Sequence, residues 1–149
     1  MTQQEKELSA WYVIGTIILS GIIILCALCT KAHAQVFKPA FSDEQTIRAI
    51  IGEASNQGYD GMFAVSCALL NRNSLQGVYG AKARHIDKEP RFVWENARKA
   101  YYNAKEAYPG DGCQAFGTHW ESVKFKEPYW AKSMVKLARV KDHQFYREK

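Results

Sequence analysis

A single glutamate stands out as a residue that could do acid–base chemistry. Glu53 lies in the segment Ile50–Ser55 and directly follows Gly52. Glycine inside a helix costs up to about 1 kcal/mol relative to alanine. Its missing side chain leaves room for a bulky group beside the carboxyl. Partial burial favours the protonated form of a carboxyl group, which a general acid at neutral pH requires. The alternative is an ordinary surface glutamate beside a helical glycine.

A second set of candidates combines aromatic and polar side chains. Thr118, His119 and Trp120 follow one another in the segment Gly117–Glu121. In a strand, Thr118 and Trp120 would point to one face and His119 to the other. Saccharide sites often combine aromatic faces with hydrogen-bonding groups between them. An ordinary edge strand with amphipathic side chains has the same composition.

Other catalytic chemistries lack the patterns that they require. Outside the apolar N-terminal run there is neither a His-Glu-x-x-His motif nor a pair of closely spaced cysteines. The sequence therefore predicts no metal site and no cofactor. The absence of a Gly-x-Ser-x-Gly segment, and the apolar surroundings of Cys67, disfavour a serine or cysteine nucleophile.

The element that must position Glu53 is a helix. Ser42 and Gln45 have the spacing of a capping box, which predicts a helix start at Ser42. The helix is expected to end near residues 56–58. Four residues form its apolar face, namely Ile47, Ile50, Ile51 and Ala54. Glu53 lies beside this face, at the edge of the predicted core.

The rest of the chain predicts an α+β domain that is mainly helical. A helix from about residue 60 to 73 is apolar on nearly every side, which is typical of a central buried helix. Residues 74–89 read as a loop, and a third helix covers about 90–108. Segments 115–120 and 137–140 look like strands, with a turn at 141–143 and a returning strand at 144–147. The sequence thus predicts a small antiparallel sheet.

The N-terminal part predicts one membrane span. Residues 11–30 carry no charge and are rich in isoleucine. About 20 such residues cross about 30 Å of hydrocarbon. This length favours an uncleaved signal anchor over a signal peptide cut after Ala34, although the flanking lysines lean mildly against the required orientation. The predicted organisation is a cytoplasmic tail at 1–10, a transmembrane anchor at 11–30, a linker at 31–41 and an exported domain at 42–149.

The four cysteines fall into two pairs. Cys26 and Cys29 lie inside the apolar run, where nothing supports a thiolate metal site. Cys67 and Cys113 would lie outside the membrane. They are interpreted either as a disulfide in an oxidising compartment or as two small buried thiols.

The net charge of +5 favours binding to anionic polymers. Nucleic acid is one such polymer, and bacterial cell-wall polymers with peptide carboxylates are another. The basic residues are scattered and interleaved with acids, which disfavours a nucleic-acid-binding protein.

Several short motifs, taken in order, resemble the SleB-type cell-wall hydrolase domain of spore-cortex-lytic enzymes. The resemblance covers roughly residues 44–147. The motifs that carry it lie at residues 47–55, 58–65, 69–72, 117–120, 128–130 and 140–147. The chain departs from the family pattern between Arg72 and Phe92, and at Trp120, where tyrosine or phenylalanine is usual.

The resemblance implies a lysozyme-like, lytic-transglycosylase-related fold with Glu53 as a single catalytic glutamate. The implied reaction cleaves the β-1,4 bond between N-acetylmuramic acid and N-acetylglucosamine, and no second carboxylate is evident for a hydrolase. Thr118, His119, Tyr129 and Tyr146 are expected to line the sugar cleft. A hydrolytic muramidase and a non-catalytic peptidoglycan-binding module are the alternatives.

The expected partners are peptidoglycan glycan strands and, through the N-terminal helix, a membrane. The catalytic domain would then lie in the periplasm or outside the cell. A phage lysis or virion-entry protein and a bacterial wall-remodelling enzyme both fit this organisation. The sequence favours no particular oligomeric state.

Overall fold

The structure is a computed structural model that describes residues 40–149. Three long helices pack against one another, and a three-stranded sheet follows them in the chain. The helices are α1 (Asp43–Ala54), α2 (Gly58–Arg72), α3 (Arg91–Ala107) and the short α4 (Asp111–Gln114). The strands are β1 (His119–Ser122), β2 (Val135–Val140) and β3 (His143–Arg147). This confirms the predicted α+β class, mainly helical with a small antiparallel sheet.

Helix α1 begins where the capping box predicts. Ser42 Oγ accepts the backbone N–H of Gln45, and the Gln45 side chain accepts the backbone N–H of Ser42. These bonds satisfy two donors that the helix itself leaves unpaired. The predicted apolar face is buried at Ile47, Ile50, Ile51 and Ala54. A 3-10 turn, Ser55–Gln57, follows, so Glu53 lies in the last turn of α1.

Helix α2 is the central helix of the domain. Every residue from Ala64 to Leu70 is inaccessible to solvent, because α1, α3 and α4 pack around it. It begins at Gly58, two residues before the predicted start at Asp60. Helix α3 buries one face against it. The Tyr101 hydroxyl donates to Asp43 Oδ1 at 2.8 Å, which ties α3 to the first turn of α1.

The sheet is antiparallel, with β3 between β1 and β2. Strands β2 and β3 form a hairpin whose turn contains Lys141, at a φ of 50°. The predicted second and third strands are confirmed with small shifts in their ends. Gln57 and Asp142 dock this hairpin against the turn after α1: Gln57 Nε2 donates to Asp142 Oδ2, and the Asp142 N–H donates to Gln57 Oε1, both at 3.1 Å.

The predicted strand at 115–120 is wrong in its first half. The strand begins only at His119, and the chain before it forms α4 and a turn. Asn71 on α2 explains the difference, because its side-chain amide donates to the carbonyl oxygens of Cys113 and Gly117, both at 2.8 Å. These bonds hold the segment against α2 before the chain enters the sheet.

A disulfide joins Cys67 on α2 to Cys113 on α4. Both residues are fully buried. The structure therefore decides between the two interpretations of this pair in favour of the cross-link. It fixes α4 to the middle of the central helix, over a sequence separation of 46 residues.

The segment predicted as a loop, residues 74–89, contains two short 3-10 turns, Tyr79–Lys82 and Ile86–Lys88. Val78 and Ile86 anchor it, since both side chains are buried. The first of these turns packs along α1. The predicted loop is therefore held in place rather than extended into solvent.

The predicted cytoplasmic tail and membrane anchor lie outside the described residues, as does most of the predicted linker. Within residues 40–149, no helix combines the length and apolar character that a membrane crossing requires.

The disulfide gives a first prediction. Cys113→Ala should lower the free energy of unfolding by about 2–4 kcal/mol, because the unfolded chain gains the freedom that the cross-link removes. Urea denaturation of the full-length protein in detergent measures this. In the wild type, alkylation of the unfolded but unreduced chain should leave Cys67 and Cys113 unlabelled. Labelling of both residues without reductant would contradict the cross-link.

Candidate active site

A cavity of about 440 Å³ lies between the end of α1, the Tyr79–Lys82 turn and the sheet. Glu53 lines it from α1, and Trp120 and His143 line it from β1 and β3. The site is therefore assembled from segments that are far apart in the sequence. Glu53 is partly buried, as its position beside the apolar face predicts.

Two donors hold the Glu53 carboxyl group. Its Oε1 accepts the backbone N–H of Gly80 at 2.6 Å, and its Oε2 accepts the indole N–H of Trp120 at 3.2 Å. One donor belongs to the Tyr79–Lys82 turn and the other to strand β1. Because each carboxyl oxygen has a single protein donor, each retains a position for a proton or another hydrogen bond. The carboxyl is thus fixed in direction without being enclosed.

The glycine beside Glu53 has a role different from the predicted one. A Cβ on Gly52 would lie 1.9 Å from the carbonyl oxygen of Gly80, and a Cβ on Gly80 would lie 2.6 Å from Glu53 Oε1. The space beside the carboxyl is therefore filled by the protein's own backbone. Both glycines are needed because the Tyr79–Lys82 turn must approach α1 closely enough to donate to the carboxyl.

Two histidines line the same cavity. His143 is 6% exposed, and its Nδ1 is buried without a hydrogen-bond partner among the described residues. Burial lowers the pKa of His143, while the nearby carboxylates, Glu53 foremost, oppose this shift. Burial also lowers the pKa of His119, and the charge of Arg72 adds to the effect. Both shifts favour neutral imidazoles at neutral pH.

The structure brings a second carboxyl group into the cavity. Glu121 on β1 lines it together with Glu53. Glu121 is the last residue of the polar-aromatic segment Gly117–Glu121, but the sequence assigned it no role. Its Oε1 accepts the backbone N–H of Ser122 at 2.9 Å. Strand alternation does not identify it, because His119, Trp120, Glu121 and Ser122 all line the cavity.

Two exposed aromatic residues at this cavity were also overlooked. Tyr79 is 88% exposed and Phe125 is 71% exposed, and both line the cavity. Large apolar side chains held in solvent at a groove are typical of ligand-binding surfaces. Tyr79 lies in the segment predicted to be a loop. No helical or strand periodicity there indicates where its side chain lies.

The four residues predicted to line a sugar cleft take different positions. His119 lines the cavity that contains Glu53. Thr118 hydrogen-bonds to His119 Nδ1 at 2.9 Å and lines a neighbouring cavity. Tyr146 is 3% exposed and lines a third cavity, where its hydroxyl donates to Glu127. Tyr129 is 88% exposed and lines none of these three cavities.

The three cavities adjoin one another, and together they are called the groove below. Arg72 and His119 line both the central cavity and the second one, which has a volume of about 420 Å³. Glu121 and Phe125 line both the central cavity and the third one, of about 290 Å³. The central cavity, which contains Glu53, therefore borders both of the others.

Within the described residues, no group of three or more histidine, cysteine, aspartate or glutamate side chains is placed to hold a metal ion.

The fold is that of the SleB catalytic domain. The crystal structure of the catalytic domain of the Bacillus cereus SleB protein aligns with a TM-score of 0.52 and 19% sequence identity, over 77% of this chain and 99% of that one. The catalytic domain of the germination-specific lytic transglycosylase SleB from Bacillus anthracis aligns with a TM-score of 0.48 and 20% identity, over 74% and 99%. No family model and no curated protein sequence matches the chain. The first alignment confirms, at the level of the fold, the resemblance predicted from the motifs.

The contact between Gly52 and Gly80 gives a second prediction. Gly52→Ala should destabilise the protein by roughly 1–3 kcal/mol, because the methyl group would push the Tyr79–Lys82 turn away from α1. Gly112→Ala is the matched control, since a Cβ there meets no atom within 4 Å. Urea denaturation measures the free energy of unfolding of both variants. Equal stability of the two variants would show that the close contact between Gly52 and Gly80 is absent.

The buried His143 gives a third prediction. Its folded pKa lies below the ordinary value of 6.5, so the unfolded chain takes up a proton at a higher pH than the folded chain does. Stability is therefore expected to fall as the pH drops through about 6.5. His143→Gln should flatten this dependence between about pH 7.5 and about pH 5.5. Urea denaturation midpoints of the wild type and the variant are measured at both pH values. A midpoint that changes with pH as strongly in His143→Gln as in the wild type would contradict the prediction.

Proposed function

We propose that this protein cleaves the β-1,4 bond between N-acetylmuramic acid and N-acetylglucosamine in peptidoglycan, with Glu53 as the general acid. The observation that carries the proposal is the carboxyl of Glu53, held by two donors in the central one of three adjoining cavities. The motif resemblance and the fold shared with the SleB catalytic domain support it.

In the proposed mechanism, Glu53 donates its proton to the glycosidic oxygen as the bond from that oxygen to the muramic acid C1 breaks. The 6-hydroxyl of the same muramic acid then attacks C1, and the Glu53 carboxylate takes up the hydroxyl proton. The products are a free 4-hydroxyl on N-acetylglucosamine and a 1,6-anhydromuramic acid, and no water is consumed. The Gly80 N–H and the Trp120 indole N–H keep the carboxyl oriented through both steps.

A hydrolytic muramidase is the second candidate, and Glu121 is the observation that favours it. A hydrolase uses a second carboxylate as a nucleophile or as a base for water. Glu121 lines the cavity that contains Glu53, so a second carboxylate is available. The two candidates differ in their products, because water gives reducing ends and the 6-hydroxyl gives anhydro ends.

We place the reaction outside the cytoplasm, with the uncharged run at residues 11–30 as a membrane anchor. The Cys67–Cys113 disulfide supports an oxidising compartment. A phage lysis or entry protein and a bacterial wall-remodelling enzyme both fit this arrangement.

Digestion of purified sacculi tests the proposal. Glu53→Gln should lower the rate of muropeptide release at least about a hundredfold, because the amide cannot donate the proton. Circular dichroism of the variant checks that it is folded. Activity that survives this substitution would contradict the assignment of the acid.

Glu121→Gln distinguishes the two reactions. A transglycosylase should continue to release 1,6-anhydro products from this variant, since Glu53 serves as both acid and base. Mass spectrometry of the muropeptides identifies the ends. Reducing ends alone from the wild type, together with loss of activity in Glu121→Gln, would support the muramidase instead.

A further inference from the structure

Arg72 has an unusual position for an arginine. It is the last residue of α2, it is partly buried, and its side chain lines the groove where the central cavity meets the second cavity. It therefore lies beside the cavity that contains Glu53. The proposed mechanism gives Arg72 no role.

The guanidinium of Arg72 lacks an anionic partner in the described part of the chain. Six ion pairs with nitrogen and oxygen within 4.0 Å occur there, and none of them includes Arg72. Its one hydrogen bond runs from Nη2 to the carbonyl oxygen of Gln76. A guanidinium has five N–H donors, so most of them are unused by the protein. Charged side chains that are withdrawn from water are usually paired, so this group is suited to an anionic ligand.

The second cavity is the part of the groove that suits an anion. Its lining contains two cations, Arg72 and Arg147, and one carboxylate, Glu148. The central cavity has two carboxylates, Glu53 and Glu121, beside Arg72, so the second cavity is the more favourable place for an anion. Glu53 is already held by Gly80 and Trp120, and it forms no ion pair with Arg72.

We propose that Arg72 binds a carboxylate carried on the 3-O-lactyl arm of muramic acid, and so selects the muramic acid residue that is placed against Glu53. This inference depends on the proposed function. Among the two sugars of the glycan strand, only muramic acid carries such an arm. Its carboxylate is either that of the free lactyl group or one in the attached peptide. A bidentate bond from Arg72 would orient the sugar with its C1 towards the acid.

A purely structural role is the alternative for Arg72. Its bond to Gln76 closes the loop after α2, and its Nη2 lies 3.5 Å from the position of a Cβ on Gly77. A cation at a helix C-terminus is also favourable in itself. A structural arginine would affect the binding of charged and neutral glycans equally, whereas a carboxylate-binding arginine would not.

Binding of glycan strands to the Glu53→Gln variant, which should not cleave them, distinguishes a structural Arg72 from a carboxylate-binding one. Uncross-linked glycan strands bearing peptides are compared with the same strands after their carboxylates have been converted to methylamides. The full-length protein in detergent should bind the free carboxylate form roughly tenfold more tightly. Adding Arg72→Gln should abolish that preference, and Arg72→Lys should restore part of it. Adding Arg91→Gln, at a fully solvated arginine of α3 paired with Glu95, should leave it unchanged.

Strands stripped of peptide by an amidase identify the carboxylate. The amidase creates a free lactyl carboxylate, because in peptide-bearing strands the lactyl carboxyl is an amide. Tight binding of the stripped strands that Arg72→Gln weakens shows that Arg72 accepts the lactyl carboxylate, whereas binding as weak as that of the amidated strands limits Arg72 to peptide carboxylates. The inference is overturned if Arg72→Gln weakens binding to free and amidated strands by the same factor, or if the Arg72-containing protein binds neither the peptide-bearing nor the stripped strands more tightly than the amidated ones. Cleavage of sacculi by the wild type is measured in a separate experiment. Failure of the proposed reaction can therefore be distinguished from failure of the inference about Arg72.

Discussion

The close contact between two backbone segments, at Gly52 in α1 and at Gly80 in the following loop, is the constraint on which the site depends. Any side chain at either position would force the loop away from the helix. The contact places a peptide N–H against the Glu53 carboxyl at 2.6 Å. One side of the carboxyl is therefore defined by the main chain, which can neither rotate away nor be titrated.

The position of the other carboxyl oxygen, Oε2, depends on the sheet. Trp120 reaches Glu53 from β1, and β1 is held by pairing with β3. The reciprocal hydrogen bonds between Gln57 and Asp142 join the β2–β3 hairpin to the turn that follows Glu53. The last turn of α1 thus carries the carboxyl, and the 3-10 turn that follows it anchors the strands around the site. This arrangement explains how a groove built from distant segments keeps a fixed shape.

The groove combines charged side chains of both signs with several aromatic groups and two neutral imidazoles. Burial keeps His119 and His143 in their uncharged forms at neutral pH. Tyr79 and Phe125 present exposed rings at the central cavity. In the proposed function, Arg72, which has no anionic partner among the described residues, binds a carboxylate carried by muramic acid.

Local sequence determined the helices, the capping box at Ser42 and the partial burial of Glu53, because capping and helical periodicity act over a few neighbouring residues. Several features could be decided only by tertiary structure. The Cys67–Cys113 cross-link, the approach of Gly80 to Gly52 and the entry of Glu121 into the cavity join parts of the chain that lie far apart in sequence. The same holds for the late start of β1, which Asn71 imposes from α2. No pattern within a short window records such contacts, since they follow from how the helices and the sheet pack together.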